Sequence, residues 1–249
     1  MIILVSNDDG ISSEGITALE KSLADVGETY TVAPDREQNA MSHALTLHRP
    51  LRVHELGPKR LAVDGTPTDC VKLALTGLLP FRPDIVVSGI NKGPNLGDDV
   101  IYSGTVSAAV ESALLGVPAI AISLATFENP RFEAAAEFAA ALLAHISRGT
   151  IPPETLLNVN VPPLPKEQIK GWRLTRQGKR HYSENIVERL DPRGRKYYWI
   201  GGDELGFTRE DGTDGVAIEE GYISVTPLQV DLTNHKFLLE QRAPDFKWP

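Results

Sequence analysis

Two aspartates stand side by side at positions 8 and 9, inside "VSNDDGISSEGI" (residues 5–16), where an apolar run ends and a helical pattern begins. Two carboxylates about 4 to 5 Å apart repel by roughly 3 to 4 kcal/mol at an effective dielectric near 20. A cation between them would offset that repulsion. Adjacent side chains of an extended strand diverge, so Asp8 and Asp9 can face one ion only if the chain turns, and Gly10 favours such a turn. The plainer alternative is a strand-to-helix turn with a capping aspartate.

A second stretch, "GINKGPNLGDDVIYSGT" (89–105), gathers Asn91, Gly93, Asn95, Gly97, Asp98 and Asp99 ahead of a helical pattern opened by Ser103, Gly104 and Thr105. Glycines let backbone approach a ligand closely, and asparagines offer uncharged oxygen ligands. Free backbone N–H groups and the dipole at a helix start favour a phosphate. An ordinary helix cap at Ser103 inside a Gly-rich turn is the plainer reading of the same residues. The loop lacks the lysine-plus-serine ending of a P-loop, and Gly10 with Gly15 is too little for a dinucleotide fingerprint. Six histidines show no zinc spacing. Aspartates and asparagine oxygens form a hard donor set, suited to Mg²⁺ or Mn²⁺. Paired acids, a divalent cation and a helix N-terminus for an oxyanion point to phosphoryl chemistry.

The elements that must position these groups follow from periodicity. Residues 2–6, 29–33, 84–90, 118–123 and 156–161 read as short, mostly buried strands. Ile16, Leu19, Leu23 and Val26 mark one helix face. Val71, Leu75 and Leu78 mark a second, with Thr68 as N-cap and Asp69 in its first turn. Val106, Ala109, Val110, Ala113 and Leu114 mark a third that ends at Gly116, and residues 131–147 an Ala-rich fourth. Alternation of this kind predicts an α/β fold: a Rossmann-like, mainly parallel sheet with helices on both faces. Its ligand edge would carry the loops 7–14, 34–44 and 91–104. After "VPPLP" (161–165) the chain turns richer in charge and aromatics, and "KYYWIGG" and "GYISVTPL" look hairpin-like. Residues 1–165 are therefore read as the α/β core, and 166–249 as a hairpin and arm region of one domain.

Composition narrows the partners. A chain of 249 residues can bury roughly 70 to 75% of its unfolded surface without covalent staples. One cysteine, Cys70, excludes a disulfide framework within the chain and suits a reducing compartment. The opening "MIILV" begins a strand at once, and no apolar run approaches the length of a membrane span, so a cytoplasmic location is expected. A net charge of −8 argues against a protein that coats a nucleic-acid polymer.

At this point the sequence resembles the SurE family, the stationary-phase survival proteins, which are metal-dependent 5′-nucleotidases. The resemblance rests on "ILVSNDDGI", "VAPDREQ", "GTPTDCV", "PDIVVSGINKGPNLGDDVIYSGTVSAA", "PAIAIS", "LNVNVP" and "GYISVTPLQVDLT", in order over nearly the whole chain. It implies that Asp8 and Asp9 are the acid pair and that Asn91, in "SGIN", is a metal ligand. The fourth ligand of the family is a serine, and here that position is Asn39. The resemblance also implies one divalent cation per subunit, dimers or tetramers with C-terminal segments exchanged between subunits, and nucleoside monophosphate substrates. Cleavage of 3′-nucleotides and polyphosphate is implied as a side activity. The resulting assignment has Asp8, Asp9, Asn39 and Asn91 on the metal, Asp8 and Asp9 orienting water, and Asn95, Ser103, Gly104 and Thr105 around the phosphate. A non-catalytic nucleotide-binding or stress-interaction protein is the rival reading. Asp231 and His235 are set aside as an ion pair at a hinge.

Overall fold

The computed structural model describes residues 1–146, 152, 154–182, 186–200 and 204–240. In chain order the elements are β1 (Ile2–Ser6), α1 (Glu14–Leu23), β2 (Glu28–Pro34), β3 (Val53–Gly57), β4 (Arg60–Val63), α2 (Pro67–Leu73), β5 (Ile85–Lys92), α3 (Gly104–Leu114), β6 (Ala119–Leu124), α4 (Glu133–His145) and β7 (Thr155–Val161). They continue with β8 (Trp172–Leu174), β9 (Arg180–Tyr182), β10 (Ile186–Leu190), β11 (Lys196–Ile200), β12 (Glu204–Phe207), α5 (Asp214–Glu219), β13 (Ile223–Gln229) and α6 (His235–Glu240).

The main sheet runs β3-β4-β2-β1-β5-β6-β7-β13-β8. From β4 to β7 every neighbour is parallel, and β3 and β13 pair antiparallel at its two flanks. This is the expected α/β architecture. Period-2 alternation sorts the strands onto two cores. Ile3, Val5 and Val87 face α1 and α4, while Leu4 and Val86 face α2 and α3. The order leaves β1 in one direction towards β2 and β4, and in the other towards β5, β6 and β7. The β1/β5 boundary is therefore the topological switch point, where loops diverge and open a crevice.

Two readings of the sequence need correcting. The N-cap of α2 is Thr66, not Thr68. Thr66 Oγ1 accepts from Asp69 N at 3.0 Å and Asp69 Oδ2 accepts from Thr66 N at 2.9 Å, with Pro67 at the first helical position. Proline needs no amide partner there and presets φ, so the helix starts one residue after Thr66. The region after residue 165, read as a hairpin and arm, also contributes two strands to the core sheet. Strands β8 and β13 complete the main sheet, β13 buries Ile223 and Val225, and only β9–β12 pair outside it. The pattern of "GYISVTPL" suits both a hairpin and a core strand; its backbone pairs antiparallel with β7, and its alternate side chains Ile223 and Val225 enter the core. The hairpin expected at "KYYWI" is present as β10 paired with β11, from Ile186 opposite Ile200 to Leu190 opposite Lys196.

Candidate functional site

The turn after β1 is built by Asn7. Its Nδ2 donates to Gly10 O and to Ser13 Oγ, each at 2.9 Å, which folds the chain back over Asp8 and Asp9. Gly10 takes φ +92°, a conformation that a side chain disfavours, and a Cβ there would lie 3.0 Å from the Arg36 backbone. Ser13 then caps α1.

Asp8 is buried, and the start of α3 presses against it. A Cβ on Gly104 would lie 2.8 Å from Asp8 Cβ and 2.9 Å from its Oδ2, so glycine is required for this approach. The Thr105 hydroxyl donates to Asp8 Oδ1. Burial pushes the Asp8 carboxyl up to about 6; hydrogen bonds from Thr105 hold it down, and the charge of Asp9 adds to the rise. Asp9 is more open, and its Oδ2 accepts from Lys92 N at 3.1 Å. Its carboxyl is raised chiefly by burial; the Lys92 amide opposes the rise and the neighbouring Glu37 charge adds to it.

The structure thus brings Asp8, Asp9, Ser103, Gly104 and Thr105 to one edge, with Asn91 beside them at the end of β5. Asn91 Nδ2 donates to Gly93 O at 2.8 Å, which leaves Oδ1 as the atom able to ligate. Asn39 lies in the loop after β2. Gln38 N donates to Asp8 O at 2.7 Å, and the loop is tied onward through Ser42 N to Tyr102 O at 3.1 Å and His43 Nε2 to Glu111 Oε2 at 2.9 Å. Asn39 itself is exposed, and its Nδ2 donates to Glu37 Oε1.

Asn95 is engaged inward. Its N–H donates to Asn160 Oδ1 at 2.8 Å, its Nδ2 to Ser123 Oγ at 2.7 Å, and its carbonyl accepts from Asn158 and Asn160. Ser103 Oγ is likewise occupied, accepting from Val106 N at 3.1 Å as the α3 cap. Asp231 pairs with His235 at 2.6 Å, exposed and within one chain.

Several contributors escaped the sequence reading: Glu37 beside Asp9, Asn7 as the brace of the turn, and Asp214. Asp214 is buried and accepts from Gly97 N, Gly178 N and Gly215 N, each at 2.8 Å, which anchors the 91–105 loop from a distant helix. For the inward network of Asn95 the available signal was Asn158 and Asn160, alternate asparagines in an apolar strand, which require buried polar partners.

The donor set suits a hard cation. Among the described residues no cluster of three His, Cys, Asp or Glu side chains forms, so an ion here would combine two carboxylates with amide oxygens. Asn7 Oδ1, next to the acid pair, is buried without a hydrogen-bond partner among the described residues, so oxygens outnumber protein donors at this turn.

The sequence profile of the family described as "Survival protein SurE" matches residues 3–184, more than half of the chain. The chain belongs to the SurE family. It is 55% identical over 236 residues to a "5′-nucleotidase SurE" of Geotalea daltonii, covering 94% of this chain and 95% of that one. It is 56% identical over 239 residues to the "5′-nucleotidase SurE" of Geobacter sulfurreducens, covering 96% and 91%. The SurE crystal structure from Aquifex aeolicus superposes with a TM-score of 0.87 at 46% identity, covering 96% of this chain and 97% of that one.

Proposed function

We propose that this chain is a metal-dependent phosphomonoesterase, a 5′-nucleotidase that hydrolyses nucleoside 5′-monophosphates to nucleoside and phosphate. The observation that carries the reading is the meeting of Asp8, Asp9 and Asn91 with the N-terminus of α3 at the β1/β5 switch point. The SurE relatives carry the same activity in their names.

Asp8, Asp9, Asn91 and Asn39 would hold one Mg²⁺ or Mn²⁺. Bound there, the cation supplies Lewis-acid polarisation of the phosphoryl group and eases deprotonation of the attacking water. Asp9, the more open acid, orients that water. Asp8 is locked by Thr105 and fixes the geometry of the pair. Ser103, Gly104 and Thr105 hold the phosphate through backbone N–H groups at the first turn of α3, where the helix end carries roughly half a positive charge. The side chains of Ser103 and Thr105 are engaged elsewhere. Asn95, tied to Ser123, Asn158 and Asn160, keeps the loop over the phosphate in one shape. Water is the direct nucleophile in this scheme, because covalent aspartyl-phosphate enzymes space their acids by one residue and these are adjacent.

The same reading includes 3′-nucleotides and short polyphosphate as minor substrates, a cytoplasmic location, and a homodimer or homotetramer with exchanged C-terminal segments. The exposed apolar residues of β10–β11 support association, and the buried free thiol of Cys70 suits a reducing compartment. No helix among the described residues is long and apolar enough to cross a membrane.

Phosphate release from AMP and from polyphosphate, with Mn²⁺ and then with excess chelator, tests the proposal. Metal-dependent release that is faster from AMP is the expected result. Equal rates with and without chelator would reject the metal, and release from polyphosphate alone would reject the nucleotidase.

A further inference from the structure

We propose that His43 is a positioning residue for the metal site: gripped by the buried carboxylate of Glu111, it keeps the loop that carries Asn39 in place beside Asp8. This rests on the metal-dependent reading and adds what fixes the outermost ligand.

Asn39 does not place itself. Its side-chain hydrogen bond runs to Glu37, two residues away on the same loop, and both residues are exposed. The backbone around it is unfavourable: Ala40 and Ser42 take φ +54° and +50°, the left-handed region that residues with a Cβ avoid. Such conformations persist only where the surroundings over-determine them. Upstream the loop is pinned at the acid pair, where Gln38 N donates to Asp8 O at 2.7 Å. What holds the downstream side therefore decides where Asn39 lies.

Ser42 reaches only main-chain carbonyls there, its amide bonding Tyr102 O and its hydroxyl Ile101 O. His43 reaches a buried charge. Its Nε2 lies 2.9 Å from Oε2 of Glu111, and Lys72 Nζ lies 2.8 Å from the other oxygen, Oε1. Glu111 is buried, with 3% of its surface exposed. Burial works to raise its carboxyl, but the hydrogen bonds from His43 and Lys72 prevail and hold it below its ordinary value. Hydrogen bonds to an ionised acceptor are the strong ones. Glu111 is also well placed on α3. It follows Gly104 by seven residues, about two helical turns, so it shares the helix face that presses on Asp8. Through His43, the loop of Asn39 and the helix of the phosphate site are joined at one buried carboxylate.

The test is the Mn²⁺ affinity of the full chain without substrate, read from the free-ion signal in electron paramagnetic resonance. His43→Ala should raise the Kd roughly tenfold. His43→Gln, whose amide can donate from near the position of Nε2, should stay within about threefold of wild type. Lys72 keeps Glu111 paired in both variants, so circular dichroism should find each folded. In an Asn39→Leu background, His43→Ala should change the Kd by less than about twofold, because no ligand is left to place. An unchanged Kd in His43→Ala, an equal loss in both backgrounds, or a His43→Gln as weak as His43→Ala would overturn the positioning role. Wild type that binds no Mn²⁺ would overturn the metal site with it, whereas wild type that binds Mn²⁺ but releases no phosphate from AMP would reject the nucleotidase alone.

Discussion

Strands β5 and β11 are both rich in strand-forming residues, aliphatic in one and aromatic in the other, and end in opposite circumstances. β5 buries seven of its eight positions and delivers Asn91 to the site, whereas all five positions of β11 are exposed, Trp199 and Ile200 among them. Propensity does not separate them. What does is cover: α1 and α4 lie on one face of β5, α3 and α2 on the other, while β11 has only β10 beside it among the described residues. A strand held on both faces can aim a side chain accurately. A two-stranded ribbon that is exposed on both faces gains little from folding alone.

The contrast breaks most sharply at the acid pair. Asp8→Asn and Asp9→Asn should each lower kcat/KM by about 100-fold or more at saturating Mn²⁺, with the fold intact by circular dichroism. In metal-free protein, Asp8→Asn should do the reverse to stability. Burial raises the folded Asp8 carboxyl from 3.8 to about 6, so the native state keeps a proton that the unfolded chain has released. Wild-type stability therefore declines as pH rises from about 4 through 6, by about 3 kcal/mol in total. Urea unfolding with chelator should find the variant more stable by about that amount at pH 8, and equal to wild type below pH 4. A variant that is less stable at pH 8 would show that Asp8 is not strained by its burial.

A middle-sized effect lies at Asn39, on the exposed side of the same site. Asn39→Leu should raise the Mn²⁺ concentration for half-maximal rate by about tenfold, while Asn39→Ser, which keeps an oxygen, should stay near wild type. A metal titration of Asn39→Leu that overlays wild type would reduce Asn39 to a turn residue held by Glu37.

The smallest effect on folding is expected at the hairpin. Trp199→Ser with Ile200→Ser should change the urea-unfolding free energy of dilute protein by less than about 0.5 kcal/mol, because neither side chain leaves a core. Light scattering at micromolar concentration should nevertheless report a smaller particle than wild type. A wild-type chain that is strictly monomeric would sever the link between exposed apolar strands and assembly.

Much of the frame was legible in the sequence. Ile16, Leu19 and Leu23 repeat at helical spacing, and all three are buried on α1. Asp8, Asp9 and Gly10 announced their own turn. The α2 cap was misread by two residues because Thr66 and Thr68 are equally good capping residues, and Pro67 between them decided the start. The inward turn of Asn95 was hidden for a different reason. Asparagine in a Gly-rich loop reads as a ligand, and its partners, Asn158 and Asn160, lie 63 and 65 residues away.

The sequence by itself determined which residues share a face, because periods of 2.0 and 3.6 residues are local properties that backbone geometry imposes. It also determined the chemistry available, since two adjacent acids followed by a glycine supply carboxylates that can converge once the chain turns. Only the tertiary structure decided which groups meet. Lys92 N reaches Asp9 across 83 positions, Thr105 reaches Asp8 across 97, and Gly97 reaches Asp214 across 117. Contacts over such separations leave no periodic trace in the chain. They arise when the sheet order sets the ends of β1 and β5 side by side, and each buried polar group then takes the partner within its reach.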